Sequence, residues 1–261
     1  MSGLQVSGLS YAAQGKALVN EASFALEPGT LTMLVGPNGA GKTTLLKLAL
    51  GLLRPDAGEA RIDGQDIAEL SPIIRARKIA YLPQQRPLAW PQPVRDIVAL
   101  GRFAFGGVPS QLSGEDEEAV ARAISTCDLG GLEERAVDSL SGGELARVHL
   151  ARALASEAPM LIADEPVAAL DPRFQHEILG HFSKTAREGR GVLTVIHDLS
   201  LAAQYADRII WMNNGKIVAD GRPADTITPA NLRAIFGVEA SVEIRPAGRV
   251  AVEISGPAKS Q

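Results

Sequence analysis

A chain of 261 residues, 46% hydrophobic and 21% charged, is long enough for one well-cored domain with room for a small subdomain. Its net charge of -4 lacks the basic excess of nucleic-acid binders, so no nucleic-acid partner is expected. The single cysteine, Cys127, excludes an intrachain disulfide and reads as a buried core thiol. The opening residues carry no basic region or long apolar run of a secretory signal, and no stretch approaches the roughly 18 apolar residues of a transmembrane helix.

In chain order, Leu4–Ser7 and Ala22–Leu26 alternate apolar and polar residues and read as strands. Leu31–Val35 is a short apolar run, expected as a buried strand that ends at Gly36. Helical spacing follows from Thr44 to Leu53. Residues 85–139 have another texture. Pro87, Pro91 and Pro93 mark a loop, and Ser113 opens a helix with acids in its first turn, where the helix dipole favours them. Beyond Ser141 a helix is predicted through Leu150–Leu154. Then buried strands, Met160–Ala163 and Val192–Ile196, alternate with helices, Phe174–Ala186 and Leu199–Ala206. Arg208–Met212 is a strand that turns at Asn213–Gly215, and the last five residues are expected to fray. The alternation implies an α/β fold with a largely parallel sheet covered on both faces.

Gly36-Pro37-Asn38-Gly39-Ala40-Gly41-Lys42-Thr43, between a buried strand and a helix, matches the P-loop pattern. Glycines there let backbone N–H groups turn inward around phosphate oxygens, and the helix start, including Thr44, adds a positive field. Lys42 is expected to reach the β- and γ-phosphates of ATP, and Thr43 to place its hydroxyl on Mg²⁺. Met160–Ala163 ends in Asp164 and Glu165. Paired carboxylates at the end of a buried strand are costly to desolvate. Beside a P-loop, Asp164 can hold Mg²⁺ through water and Glu165 can polarise the attacking water; Asp-Glu alone also suits a solvent-facing turn. Ser141, Gly142 and Gly143 precede a helix and form a candidate anion site. Ser141 with Glu144 is equally a capping box, and both readings can hold at once.

A P-loop, then Leu140-Ser141-Gly142-Gly143-Glu144, then the Asp164-Glu165 strand end resembles the ABC transporter ATPases over nearly the whole chain. That resemblance implies a P-loop NTPase core of mixed, largely parallel sheet with an N-terminal antiparallel part, plus a small helical subdomain. Residues 1–84 and 140–225 would form the core, 85–139 the helical subdomain, and 226–261 a short C-terminal extension. It also implies roles for four further residues. Tyr11 would stack on adenine, although it also suits a half-buried strand position. Gln84 would contact Mg²⁺ and the attacking water, with Gln85 beside it as an alternative register. Asp171 would communicate across a dimer, and His197 would sense the γ-phosphate. Ala146 stands where the family has glutamine, and Ala168 where it commonly has serine.

Two subunits would meet head to tail, with ATP between the P-loop of one and Ser141–Gly143 of the other. The implied partners are two transmembrane permease subunits and, indirectly, a substrate-binding protein, at the cytoplasmic face of the inner membrane. The segment Val94–Arg102 and the acidic helix start at Glu115 resemble the importers of iron–siderophores, haem and vitamin B12. Other ABC transporters, and soluble ABC ATPases acting on ribosomes or DNA, are the alternatives. About 35 residues follow Asp225, too few for a further stable domain.

Overall fold

Period-two burial sets the architecture. The computed structural model describes residues 3–84, 91–168, 170–246 and 250–258. Strands β1 (Leu4–Ala13) and β2 (Lys16–Leu26) pair antiparallel, and with β4 (Ala57–Ile62) and β5 (Gln65–Asp66) they form a four-stranded sheet in the order β2-β1-β4-β5. The larger sheet contains β3 (Leu31–Val35), β6 (Ile79–Leu82), β7 (Met160–Ala163), β8 (Gly191–Val195), β9 (Arg208–Asn213) and β10 (Lys216–Gly221). Its order is β10-β9-β3-β8-β7-β6, and only the β9–β10 pair is antiparallel. That pair turns through Asn214 and Gly215, both at positive φ, as a tight hairpin requires.

Both faces of the large sheet are buried, which is why its strands read as continuous apolar runs. Leu31, Met33 and Val35 enter one core, and Leu34 enters the other. The second core is closed by α1 (Lys42–Ala49) and the antiparallel sheet. The first is closed by α3 (Val94–Ala99), α4 (Gly114–Thr126), α5 (Gly142–Ala155), α6 (Pro172–Arg187) and α7 (Leu199–Tyr205). Cys127 is buried there, and burial pushes its thiol up to about 12. The helical stretch therefore shares a core with the sheet, and α5 packs on α3 and α4 as well as on β6.

Several expected boundaries shift. α1 starts at Lys42, not Thr44, and stops at Ala49, because Gly51 adopts positive φ (+64°) and breaks the helix. α6 begins at Pro172, whose missing N–H suits a first helical turn. The chain end is not frayed at Pro257. After α8 (Pro223–Thr226) and α9 (Pro229–Phe236), β11 (Val238–Ile244) pairs with β12 (Val250–Pro257), and Ala258 N–H donates to Gly237 O. Pro87, Gln85, Ala169 and Lys259–Gln261 lie outside the described residues. Among the described residues no helix is long and apolar enough to cross a membrane.

The acid at the start of α4 does more than meet a helix dipole. Asp116 Oδ1 accepts from Arg102 Nε at 2.6 Å, and Asp116 Oδ2 accepts from Ser113 Oγ at 2.7 Å. Both charged side chains are at most 10% exposed. The Arg102 guanidinium holds the Asp116 carboxyl below the usual carboxylate range. Arg102 also donates to Ala155 O and Ser156 O and lies over the Phe105 ring. The pair thus ties α4 to the end of α5. Asp116→Ala leaves the guanidinium buried with two carbonyls and only the more exposed Glu157 carboxylate, 3.8 Å away, as counter-charge. It should destabilise the fold by about 3 kcal/mol, read as a lower denaturation midpoint. A midpoint equal to that of the unmodified chain would show that the pair does not hold these helices.

Candidate functional site

The strand order β3-β8-β7-β6 places the carboxyl ends of four neighbouring parallel strands in a row. Gly36 follows β3, His197 follows β8 closely, Asp164 and Glu165 follow β7, and Gln84 follows β6. Parallel α/β sheets gather ligand-binding loops at this edge.

Residues 36–41 pack tightly as well as face solvent. A Cβ on Gly36 would lie 2.1 Å from Met212 O, and one on Gly41 2.2 Å from Leu18 O. Gly41 also sits at φ +101°, so both positions are closed to other residues by the fold itself. Gly41 is the N-cap of α1 and has no side chain to cap it. The first N–H groups of α1 are left for another acceptor. Lys42 is buried, and its Nζ donates to Gly36 O at 2.7 Å and Pro37 O at 3.0 Å. Burial lowers its pKa, opposed by the charges of Glu165 and Asp164. A cleft of about 330 Å³ opens here, lined by Asn38–Thr44 with Leu18, Gln84 and Glu165.

The carboxylates are held differently. Asp164 is fully buried, and neither of its oxygens meets hydrogen-bond geometry. Burial raises its pKa, with the nearby Thr43 hydroxyl acting in the opposite sense. Thr43 is thus close enough to be felt, without forming a complete bond. Glu165 adopts φ +52°, a left-handed conformation that costs a non-glycine residue about 1 kcal/mol. The turn swings its carboxylate away from the strand. Glu165 Oε2 accepts from Gln84 Nε2 at 2.8 Å, and Glu165 Oε1 meets His197 Nε2 at 2.6 Å. An ionised carboxylate only accepts, so Nε2 carries the proton. Such a carboxylate, fixed at both oxygens beside a phosphate-sized cleft, can take a proton from a water.

The remaining candidates lie elsewhere. Ser141 caps α5 and forms the capping box with Glu144. Its N–H and Oγ both donate to Glu144 Oε2, at 2.8 and 2.7 Å. Ser141, Gly142 and Gly143 do not line the cleft. A Cβ on Gly142 would meet nothing within 4 Å, and one on Gly143 only Leu170 at 4.0 Å. Neither glycine is required by this chain's own packing. Asp171 caps α6 through Phe174 N–H at 3.2 Å. Tyr11 pairs with Val19 across β1 and β2, half-buried against the second core, and does not line the cleft. Two residues escaped the sequence pattern. Leu18 forms a cleft wall, an apolar strand residue with no motif around it. Asp198 caps α7 through Ser200 and Leu201 N–H, so it holds the turn that carries His197.

Residues 19–168 match the family model described as ABC transporter. Over 252 residues the chain is 39% identical to the Hemin import ATP-binding protein HmuV of Rhizobium meliloti (strain 1021), covering 94% of this chain and 95% of the relative. The protein of the same name from Deinococcus radiodurans is 40% identical over 248 residues, 93% of each chain. A solved inward-facing conformation of a metal-chelate type ABC transporter superposes with a TM-score of 0.81 at 25% identity, covering 99% of both chains.

The buried, unpaired Asp164 carries a testable consequence. Its folded pKa lies above the unfolded value near 3.9, so its ionisation opposes folding at neutral pH. Protonation removes that penalty as pH falls through the raised folded value. Without nucleotide, Asp164→Asn should therefore be more stable than the unmodified chain at pH 7.5, by on the order of 1 kcal/mol. The gap should close as the pH is lowered. Melting curves across pH check this; a variant that melts lower at pH 7.5 would contradict it.

Proposed function

Because this chain belongs to the ABC transporter family as one of its ATP-hydrolysing subunits, we propose that it powers uptake of haem, an iron chelate or a corrinoid through separate membrane subunits. The observation that supports the chemistry is Glu165, fixed between Gln84 and His197 at the mouth of the glycine-rich cleft. The solute class follows from hemin import in the names of the relatives, and from the likeness to a metal-chelate type transporter.

In this reading the uncapped N–H groups of α1 take the phosphates of ATP, and Lys42 exchanges the carbonyls of Gly36 and Pro37 for β- and γ-phosphate oxygens. Mg²⁺ fits the site, since Asp164 offers two buried oxygens without partners beside the Thr43 hydroxyl. Asp164, Thr43 and the Gln84 carbonyl would hold it, and it would supply positive charge to the phosphate oxygens. Glu165 takes a proton from water as the water oxygen bonds to the γ-phosphorus. The bond from that phosphorus to the bridging oxygen breaks, and ADP leaves with the electron pair. His197 orients Glu165 and lies near the γ-phosphate. Tyr11 would reach adenine from the β1–β2 edge.

Ser141, Gly142 and Gly143 would serve the ATP of a second copy, placed head to tail. The open space over both glycines suits close approach by a phosphate from outside the chain. Asp171, near that surface, would contact the second copy. Two permease subunits would sit against an apolar groove beside α2 (Pro72–Lys78), at the cytoplasmic face of the membrane, with a substrate-binding protein reached through them. Residues 85–139 would move as a helical subdomain against the core.

Two measurements test this. Glu165→Gln keeps the shape and removes the base, so hydrolysis should fall by about 10²–10⁴ while Mg-ATP holds two isolated subunits together in size exclusion. Near-normal turnover would remove Glu165 from the base role. For the solute, a strain lacking the chain should fail to grow on haem, a siderophore or vitamin B12 as sole source, with amino-acid and phosphate uptake intact. Unchanged growth on all three, with loss of another solute, would overturn the solute class and leave the ATPase reading standing.

A further inference from the structure

Two polar groups without partners lie on the same face of the large sheet, on adjacent strands. The alternation along β6 and β7 sets the face. Ile79 on β6 and Met160 and Ile162 on β7 enter the second core, and Tyr81 packs against that core with Leu53 and Leu70. Ala80, Leu82, Leu161 and Ala163 enter the first core instead. Tyr81 pairs in register with Ile162, and Asp164 N–H donates to Leu82 O at 2.8 Å, so the ladder runs one residue past β7. Asp164 is therefore the next residue after Ile162 on the face that carries Tyr81. Diagonal neighbours across adjacent strands lie within reach of an aromatic side chain.

The Tyr81 hydroxyl oxygen is buried and, among the described residues, has no hydrogen-bond partner; the same holds for both oxygens of Asp164. A ring that only filled space would do so at lower cost as phenylalanine, which buries no polar atom. Burial pushes the Tyr81 hydroxyl up to about 12, and the Asp164 charge acts in the same sense, so the carboxylate is near enough to be felt. Other donors around Asp164 are engaged elsewhere. Lys42 Nζ is bound to Gly36 O and Pro37 O, Gln84 Nε2 is bound to Glu165, and Lys47 is exposed. The Thr43 hydroxyl is the one given to Mg²⁺ itself.

We infer that Tyr81 is a positioning residue for Mg²⁺: in the loaded site its hydroxyl donates to Asp164 from the β6 side and fixes the carboxylate for the cation. The inference rests on the Mg²⁺ reading given above. A carboxylate that holds a cation keeps lone pairs to satisfy, and outer donors fix its orientation. A phenol suits this place because it is neutral, and keeps its proton as a donor while Asp164 stays ionised. Tyr81 stands three residues before Gln84, so the strand that supplies one contact to Mg²⁺ would also brace another.

Tyr81→Phe tests this, since it removes the hydroxyl and keeps the ring in its packing. Without nucleotide it should not lower the melting temperature of the isolated subunit, because no bond is lost there. Affinity for a non-hydrolysable ATP analogue is then compared in Mg²⁺ and in EDTA. Tyr81→Phe should weaken binding in Mg²⁺ by roughly tenfold or more and leave binding in EDTA unchanged. In an Asp164→Asn background, Tyr81→Phe should cause no further loss. If Asp164→Asn weakens binding in Mg²⁺ and Tyr81→Phe does not, the role of Tyr81 is refuted and the Mg²⁺ reading stands. If Asp164→Asn binds in Mg²⁺ as tightly as the unmodified chain, the Mg²⁺ reading itself fails and the inference with it. Equal losses in Mg²⁺ and EDTA, a further loss in the Asp164→Asn background, or a lower melting temperature with unchanged Mg²⁺ dependence would each make Tyr81 a structural residue and overturn the inference.

Discussion

Two adjacent carboxylates must be accommodated at the end of a strand buried on both faces, and much of the site is the solution to that constraint. Asp164 stays on the strand line, wholly buried. Glu165 escapes burial by turning left-handed, which brings it between Gln84 and His197. The cation able to balance them, Lys42, is held at the start of α1 by carbonyls of its own loop. That loop can lie so close only because Gly36 and Gly41 leave room for the backbones of β9 and β2. The site is thus built by packing as much as by chemistry.

The parts legible in the sequence were those where chemistry and period coincide. Gly36–Thr43 sits between a buried strand and a helix, and Asp164-Glu165 ends an apolar run, so each motif announced its place in the fold. The parallel order of the large sheet follows from the alternation of strands and helices. What stayed hidden depends on contacts far apart in the chain. Leu18 is an ordinary strand residue until β2 meets the glycine-rich loop. The pairing of Arg102 with Asp116 spans 14 residues and changes the meaning of an acid that looked like a helix-start preference. Asp171 carries a local capping bond that its motif did not suggest. The C-terminal hairpin stays hidden because its strands are half-buried to exposed with no clean alternation, which weakens the period-two signal.

The helical segment and the sheet share one hydrophobic core. α5 is the element common to both, since it carries the Ser141 cap at one end and meets Arg102 through Ala155 and Ser156 at the other. The groove lies against the latter end, because Arg152 and Ser156 belong to the same stretch. A displacement at the groove therefore has a rigid lever, one helix long, by which to reach the first turn of α5.

That first turn begins with two glycines, each about 1 kcal/mol worse than alanine inside a helix, and the chain's own packing gives no return for them. In the proposed head-to-tail pair the shared phosphate would supply it. Hydrolysis would then be bimolecular in free subunits and slow when they are dilute. Holding two copies on one membrane scaffold would convert that encounter into an intramolecular one at an effective concentration in the millimolar range. The membrane partner would act on the chemistry first as a concentrator, before any motion is transmitted.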